Sequence, residues 1–122
     1  MNQILLQRVY EKCVHPEGLR ILIDRLWPRG IKKEDAQLDF WFKEVAPSPD
    51  LRKWFGHEPD KFPDFSERYI QELRNDEVKS NKVDEICRLL KDNDIILLFG
   101  AKDEVHNHAV VLREEILTRI AK

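Results

Sequence analysis

IILLFGAKDEVHNHAVVL, residues 95–112, decides the fold. Its first part, Ile95-Ile96-Leu97-Leu98-Phe99, is apolar without alternation and stops at Gly100. An alternating strand shows one face to water, whereas an unbroken apolar run predicts a strand buried on both faces, as in a parallel sheet. A short polar segment follows, and a helical pattern begins near Ala109. Strand, polar turn and helix start form the unit on which α/β proteins build sites. Ala109, Leu112, Ile116, Leu117 and Ile120 are the expected inner face of this last helix, and Asp103 is its expected cap.

Two further strands are expected upstream. Ile4 to Tyr10 is rich in β-formers, and Leu19 to Asp24 is a second run. Proline offers no N–H to a ladder, so the second strand must end before Pro28. Asp24-Arg25-Leu26-Trp27-Pro28-Arg29-Gly30 is then a loop after a strand, and Cys13 to Gly18 another loop. The middle of the chain is helical. Phe40 to Val45 suggests a short helix. Ser48 caps a second one, with Pro49 at its first position and Gly56 at its end. His57 to Pro63 is a loop. Phe65, Tyr69, Ile70 and Leu73 predict a helix over Asp64 to Asn75 with Tyr69 in the core. Val83, Ile86, Cys87, Leu89 and Leu90 predict another, capped by Ser80 or Asn81 and broken at Asn93-Asp94. The order implies one α/β domain over residues 1–122. We expect it to be small and three-layer-like, with a short, mostly parallel sheet covered by helices and its strand order open.

Composition narrows the function. With 122 residues, 42% hydrophobic and 36% charged, the chain is one domain able to bury a core without staples. No apolar run approaches the roughly 20 residues needed to span a bilayer. MNQILLQRVYEK lacks the apolar length and cleavage site of a signal peptide, so a cytoplasmic location and no membrane partner are expected. A net charge of -2 argues against general affinity for nucleic acid or anionic membrane. Cys13 and Cys87 form no CxxC. Cys87 reads as a buried, inert thiol, and Cys13, beside Lys12 and His15, as the more reactive one.

Several segments together resemble one family. These are DRLWPRG at Asp24 to Gly30 with Lys32 or Lys33 after it, Trp41-x-Lys43, and APSPDLRKWFGH at Ala46 to His57. Phe65, Tyr69 and Leu73 at four-residue spacing and LLFGAKDEVHNHAVVL complete the set. In this order they resemble the YeaO-like proteins of the domain-of-unknown-function family numbered 488. The resemblance implies a small cytoplasmic protein and assigns no reaction. Wider relatives carry cysteines in the last strand–loop–helix unit. This chain has none between Ile95 and Leu112, so no thiol mechanism is carried over.

If the second and third expected strands run parallel, DRLWPRG and GAKDEVHN leave the same carboxyl edge, where open α/β sheets bind ligands. Arg25, Arg29 and Lys102 would supply positive charge, and the last helix its unpaired N–H groups and dipole. A small anionic ligand is the expected partner. Trp27 would wall the pocket, Asn107 would contact the ligand, and Asp24 would orient the arginines. His106, Asp103 and Asp24 are the catalytic candidates for proton transfer, if any reaction occurs. The plainer account is a buried Asp–Arg network with Trp27 as core and His106 as a helix cap or surface residue. No cofactor is expected, and no metal: His106 and His108 are two apart, and helical ligand pairs want three or four. The competing function is a non-enzymatic module binding nucleic acid or protein through Arg25, Arg29, Lys32 and Lys33 with Trp27 interleaved.

Overall fold

A computed structural model describes residues 2–12 and 17–121. The expectations for Cys13 and His15 lie outside them. The described residues form a four-stranded parallel sheet: β1 (Ile4–Arg8), β2 (Leu19–Leu22), β3 (Phe40–Trp41) and β4 (Ile95–Phe99), in the spatial order β1-β4-β2-β3. Five α-helices accompany it: α1 (Lys33–Ala36), α2 (Pro49–Phe55), α3 (Phe62–Asn75), α4 (Glu77–Leu90) and α5 (His108–Ile120). The protein is a small α/β domain. Among the described residues no helix is long and apolar enough to cross a membrane.

The unbroken apolar run has the expected cause. β4 lies between β1 and β2, pairing Leu97 with Leu6 on one side and Ile21 on the other, and all five of its residues are buried. Ile95, Leu97 and Phe99 face α2 to α5, packing with Phe55, Tyr69, Ile86, Leu112 and Ile116. Ile96 and Leu98 face the opposite way, toward Trp27, Ile31, Leu38 and Trp41. The long helices therefore cover one face, and the segment from β2 to β3, with the one-turn α1, covers the other. Arg20 is buried on that second side because Ala36 and Gln37 offer it their carbonyls, at 3.1 to 3.3 Å.

Four local expectations are corrected. Phe40 and Trp41 are strand, followed by a 3-10 turn at Lys43–Val45. The open edge of β2 captures them: Asp39 N donates to Arg20 O and Phe42 N to Leu22 O, and this pairing overrides the local pattern. α4 starts earlier than expected because Asp76 is its cap, accepting from Lys79 N at 3.1 Å. α5 is capped by Asn107, not Asp103; its side-chain oxygen accepts from Ala109 N and Val110 N. Leu117 and Ile120 are exposed, whereas Val111 and Glu115 lie inside. Leu117 is about a quarter turn off the Ala109–Leu112–Ile116 stripe, and Ile120 sits in the terminal turn. The buried Glu115 carboxylate is tied to Arg74 at 2.9 Å and Arg119 at 3.0 Å. Burial pushes its pKa up, but the hydrogen bonds from the two arginines outweigh that and hold it below the usual value.

Candidate functional site

The chain leaves β2 toward one face of the sheet and β4 toward the other. The first exit, Asp24 to Gly30, turns to the Trp27–Trp41 side, and the second leads through Gly100 into α5 on the helical side. A crevice opens where adjacent parallel strands send their chains to opposite faces. A cavity of about 260 Å³ lies there, reached by Asp24, Arg25 and Trp27 from the first exit and by Gly100, Asn107 and His108 from the second. Arg52, Phe55, His57 and Phe65 close it from the helical layer, and Tyr10 from the end of β1.

Asp24 ties the two exits together. Its Oδ2 accepts from Gly100 N at 2.8 Å, and its main-chain oxygen accepts from Trp41 Nε1 at 2.7 Å. Its Oδ1 is 3.2 Å from His108 Nε2, and the same nitrogen is 3.2 Å from Ile23 O. Both neighbours of Nε2 are acceptors, so Nε2 carries the proton. Asp24 thus lies beside an imidazole held by Ile23 O, rather than among the arginines expected from the sequence. Gly100 permits the approach: a Cβ there would stand 3.0 Å from Asp24 Oδ2.

The opposite wall, Glu44 to Ser48, is held atom by atom. Lys79 Nζ donates to Glu44 O at 3.1 Å and to Ala46 O at 2.7 Å. The Tyr69 hydroxyl donates to Val45 O, and Arg25 Nη2 donates to Pro47 O at 3.2 Å. Ser48 N and Oγ both donate to Glu72, at 2.8 and 2.6 Å. Burial, with Glu72 and Asp24 nearby, raises the Tyr69 pKa well above its ordinary value, so the phenol remains a neutral donor. Burial, and then Arg25, lowers that of Lys79. α2 ends with both Gly56 (φ 55°) and His57 (φ 57°) left-handed, and the His57 ring lies 6.2 Å from that of Phe55. A non-glycine residue in this region is uncommon.

The residues singled out in the sequence divide into two sets. Asp24, Arg25, Trp27 and Asn107 line the cavity. Arg29, Lys102, Asp103 and His106 do not; Arg29 and Lys102 are exposed. Asp103 Oδ1 accepts from Val105 N and His106 N, each at 2.9 Å, and its Oδ2 is 2.9 Å from His106 Nδ1. Those hydrogen bonds lower its pKa from 3.8 to about 2, which makes it a poor base near neutral pH. His106 packs edge-on against Phe62, with centroids 5.3 Å apart. Asn107 is used at both ends of its carboxamide, as helix cap and as a 2.9 Å donor to Asp103 O. The N–H groups of Ala109 and Val110 are thereby occupied. Trp27 donates to Ile31 O at 2.6 Å and meets Trp41 edge-on at 5.4 Å, so its ring is built into the fold. Arg25 Nε is buried with no partner.

Arg52 and Tyr10 have no signal of their own in the sequence, and His108 enters there only through the metal question. Its signal lay in Asn107: a cap there places His108 at the first helical position, aimed back at the sheet. His106 and His108 turn to different partners. Among the described residues no group of three or more His, Cys, Asp or Glu side chains is arranged to hold a metal ion. Cys87 is half-buried, and burial raises its thiol pKa.

Residues 3–122 match the family model described as "Inactive DUF488-N3 subclade". The chain belongs to that family. Among its relatives is "Uncharacterized protein YeaO" of Escherichia coli (strain K12), 44% identical over 108 residues that cover 88% of this chain and 91% of the relative. "Uncharacterized protein Rv3073c" of Mycobacterium tuberculosis (strain H37Rv) is 35% identical over 113 residues, 93% of this chain and 92% of the relative. "Uncharacterized protein Mb3100c" of Mycobacterium bovis gives the same figures. No solved structure shows a significant match.

Proposed function

We propose that this DUF488-N3 protein binds a small organic anion in the cavity at the carboxyl edge of its sheet and does not transform it. The observation that carries the reading is charge. Arg25 and Arg52 line a cavity whose one carboxylate, Asp24, gives one oxygen to Gly100 N and sets the other, without a hydrogen bond, 3.2 Å from His108 Nε2. Two guanidiniums on the lining of a small, mainly apolar cavity, Arg25 half-buried and Arg52 exposed, favour an anion, and the orphaned Arg25 Nε is a donor in want of an acceptor. The cations of this proposal are therefore Arg25 and Arg52, with Arg29 and Lys102 outside it.

Three features support binding without turnover. Of the proton-transfer candidates only Asp24 lines the cavity, and one of its two oxygens is committed to the main chain at Gly100. Asp103, with its pKa near 2, is a weak base. The family description contains the word "inactive", and no cysteine stands between Ile95 and Leu112. The test is thermal denaturation against acetate, benzoate, sulfate and inorganic phosphate. A ligand bound only by the folded state adds about 2.7 kcal/mol at a hundred times its dissociation constant. The expected result is a rise for at least one anion that Arg52→Ala abolishes and that Arg29→Ala and Lys102→Ala leave intact. A rise indifferent to Arg52, or no rise with any of the four, would sink the proposal.

A further inference from the structure

We infer that the ligand is a small aromatic carboxylate, an anionic head on one flat ring; this rests on the anion-site reading and narrows it. The size of the cavity comes first. At about 260 Å³ it lies below the roughly 300 Å³ at which drug-sized pockets begin, so it takes one ring with its substituent and little more.

The lining speaks for a ring. Phe55 and Phe65 stack with centroids 4.3 Å apart and close one side. Tyr10 and Leu26 stand at the rim, 47% and 61% exposed, large apolar side chains that the core does not use. Phe55 and Phe65 are already buried, so a flat apolar body would remove from water the surface of Tyr10 and Leu26 that the fold leaves wet. Acetate would leave it uncovered.

The polar groups speak for a carboxylate over a phosphate. Phosphate sites are built from free main-chain N–H groups at helix starts, often with a lysine. Here the start of α5 is closed by Asn107, which takes the N–H groups of Ala109 and Val110. Lys102 is exposed and outside the cavity. Guanidiniums remain; their planar fork takes a carboxylate or a phosphate, so the preference for a carboxylate rests on the absence of a lysine among the described lining residues and on the Ala109 and Val110 N–H groups being taken.

Isothermal titration calorimetry of the intact protein with benzoate, acetate and inorganic phosphate tests this. Benzoate is expected to bind at least about tenfold tighter than either of the others, the ratio that ring contacts of this kind supply. Phe55→Leu should bring benzoate toward acetate. Ring-current shifts of bound benzoate resonances in the unmodified protein give the same information without a variant. Phosphate binding as tightly as benzoate, benzoate no tighter than acetate, or benzoate resonances without a ring-current shift would each overturn the aromatic carboxylate and leave the anion site standing. Failure of all three anions to bind would overturn both.

Discussion

Two acid–imidazole pairs have their histidines within a few residues of each other on the last strand exit, and they differ in almost every physical respect. Asp103 and His106 are neighbours in sequence, and each is about one-third exposed. They meet because Asp103 folds its own turn, accepting from the two following N–H groups. Asp24 and His108 come from different strand exits, are more deeply covered, and touch only once β2 and β4 have paired. The first pair reports local chain geometry. The second depends on tertiary structure and faces the cavity. A histidine beside an aspartate in the sequence is therefore the weaker guide to a site here.

Substitutions at the second pair should be the more damaging. Asp24→Ala leaves Gly100 N without its acceptor and frees the His108 ring, and we expect a loss of about 2 kcal/mol in urea denaturation. A loss no greater than that of Asp103→Ala, measured alongside, would break the contrast. Gly100→Ala acts on the same junction by volume. Its Cβ would press on Asp24 Oδ2 from 3.0 Å, and an expected loss of about 1–2 kcal/mol reflects overpacking. Asp24→Ala combined with Gly100→Ala should then lose less than the sum of the two, because the group being pressed is gone. His108→Ala should lose about 1 kcal/mol, the worth of one partly buried hydrogen bond, and His106→Ala less. Equal losses for the two histidines would place them in equivalent roles.

These differences explain what could be read from the sequence. β4 was legible because burial on both faces leaves an apolar run, and the shared edge of the β2 and β4 exits followed from parallel pairing. The cap of α2 at Ser48 was legible because capping is local. β3 was hidden: Phe40 and Trp41 are strand only by virtue of the edge they pair with. The wall at Glu44 to Ser48 was hidden as well. Lys79 reads as a surface lysine on an amphipathic helix, and only the fold brings the Glu44 and Ala46 carbonyls to it. Of the cavity lining, Asp24, Arg25, Trp27 and Asn107 are legible through the strand exits. Arg52 lies on α2, far along the chain from either exit, and no pattern links it to them. The choice of Asp103 as cap, in place of Asn107, directed attention to His106 rather than His108. One misplaced helix boundary thus displaced the imidazole of the expected site.

The smallest effect separates the pairs by pH. The native pKa of Asp103, about 2, lies below the ordinary value of 3.8. Its folded form therefore binds a proton less readily than the unfolded chain does. By linkage, the stability it contributes is complete above the unfolded value and is lost as pH falls through about 2. The carboxyl carbon resonance of Asp103 should accordingly titrate near pH 2 in the folded protein. His106→Ala removes one of the three hydrogen bonds that hold it there and should move that midpoint upward, toward the ordinary range. His108→Ala should leave it in place, since that ring is bound to Asp24 and Ile23. A midpoint that moved with His108 would mean that the two pairs are coupled, and the loop joining them would then have to be treated as one titrating unit.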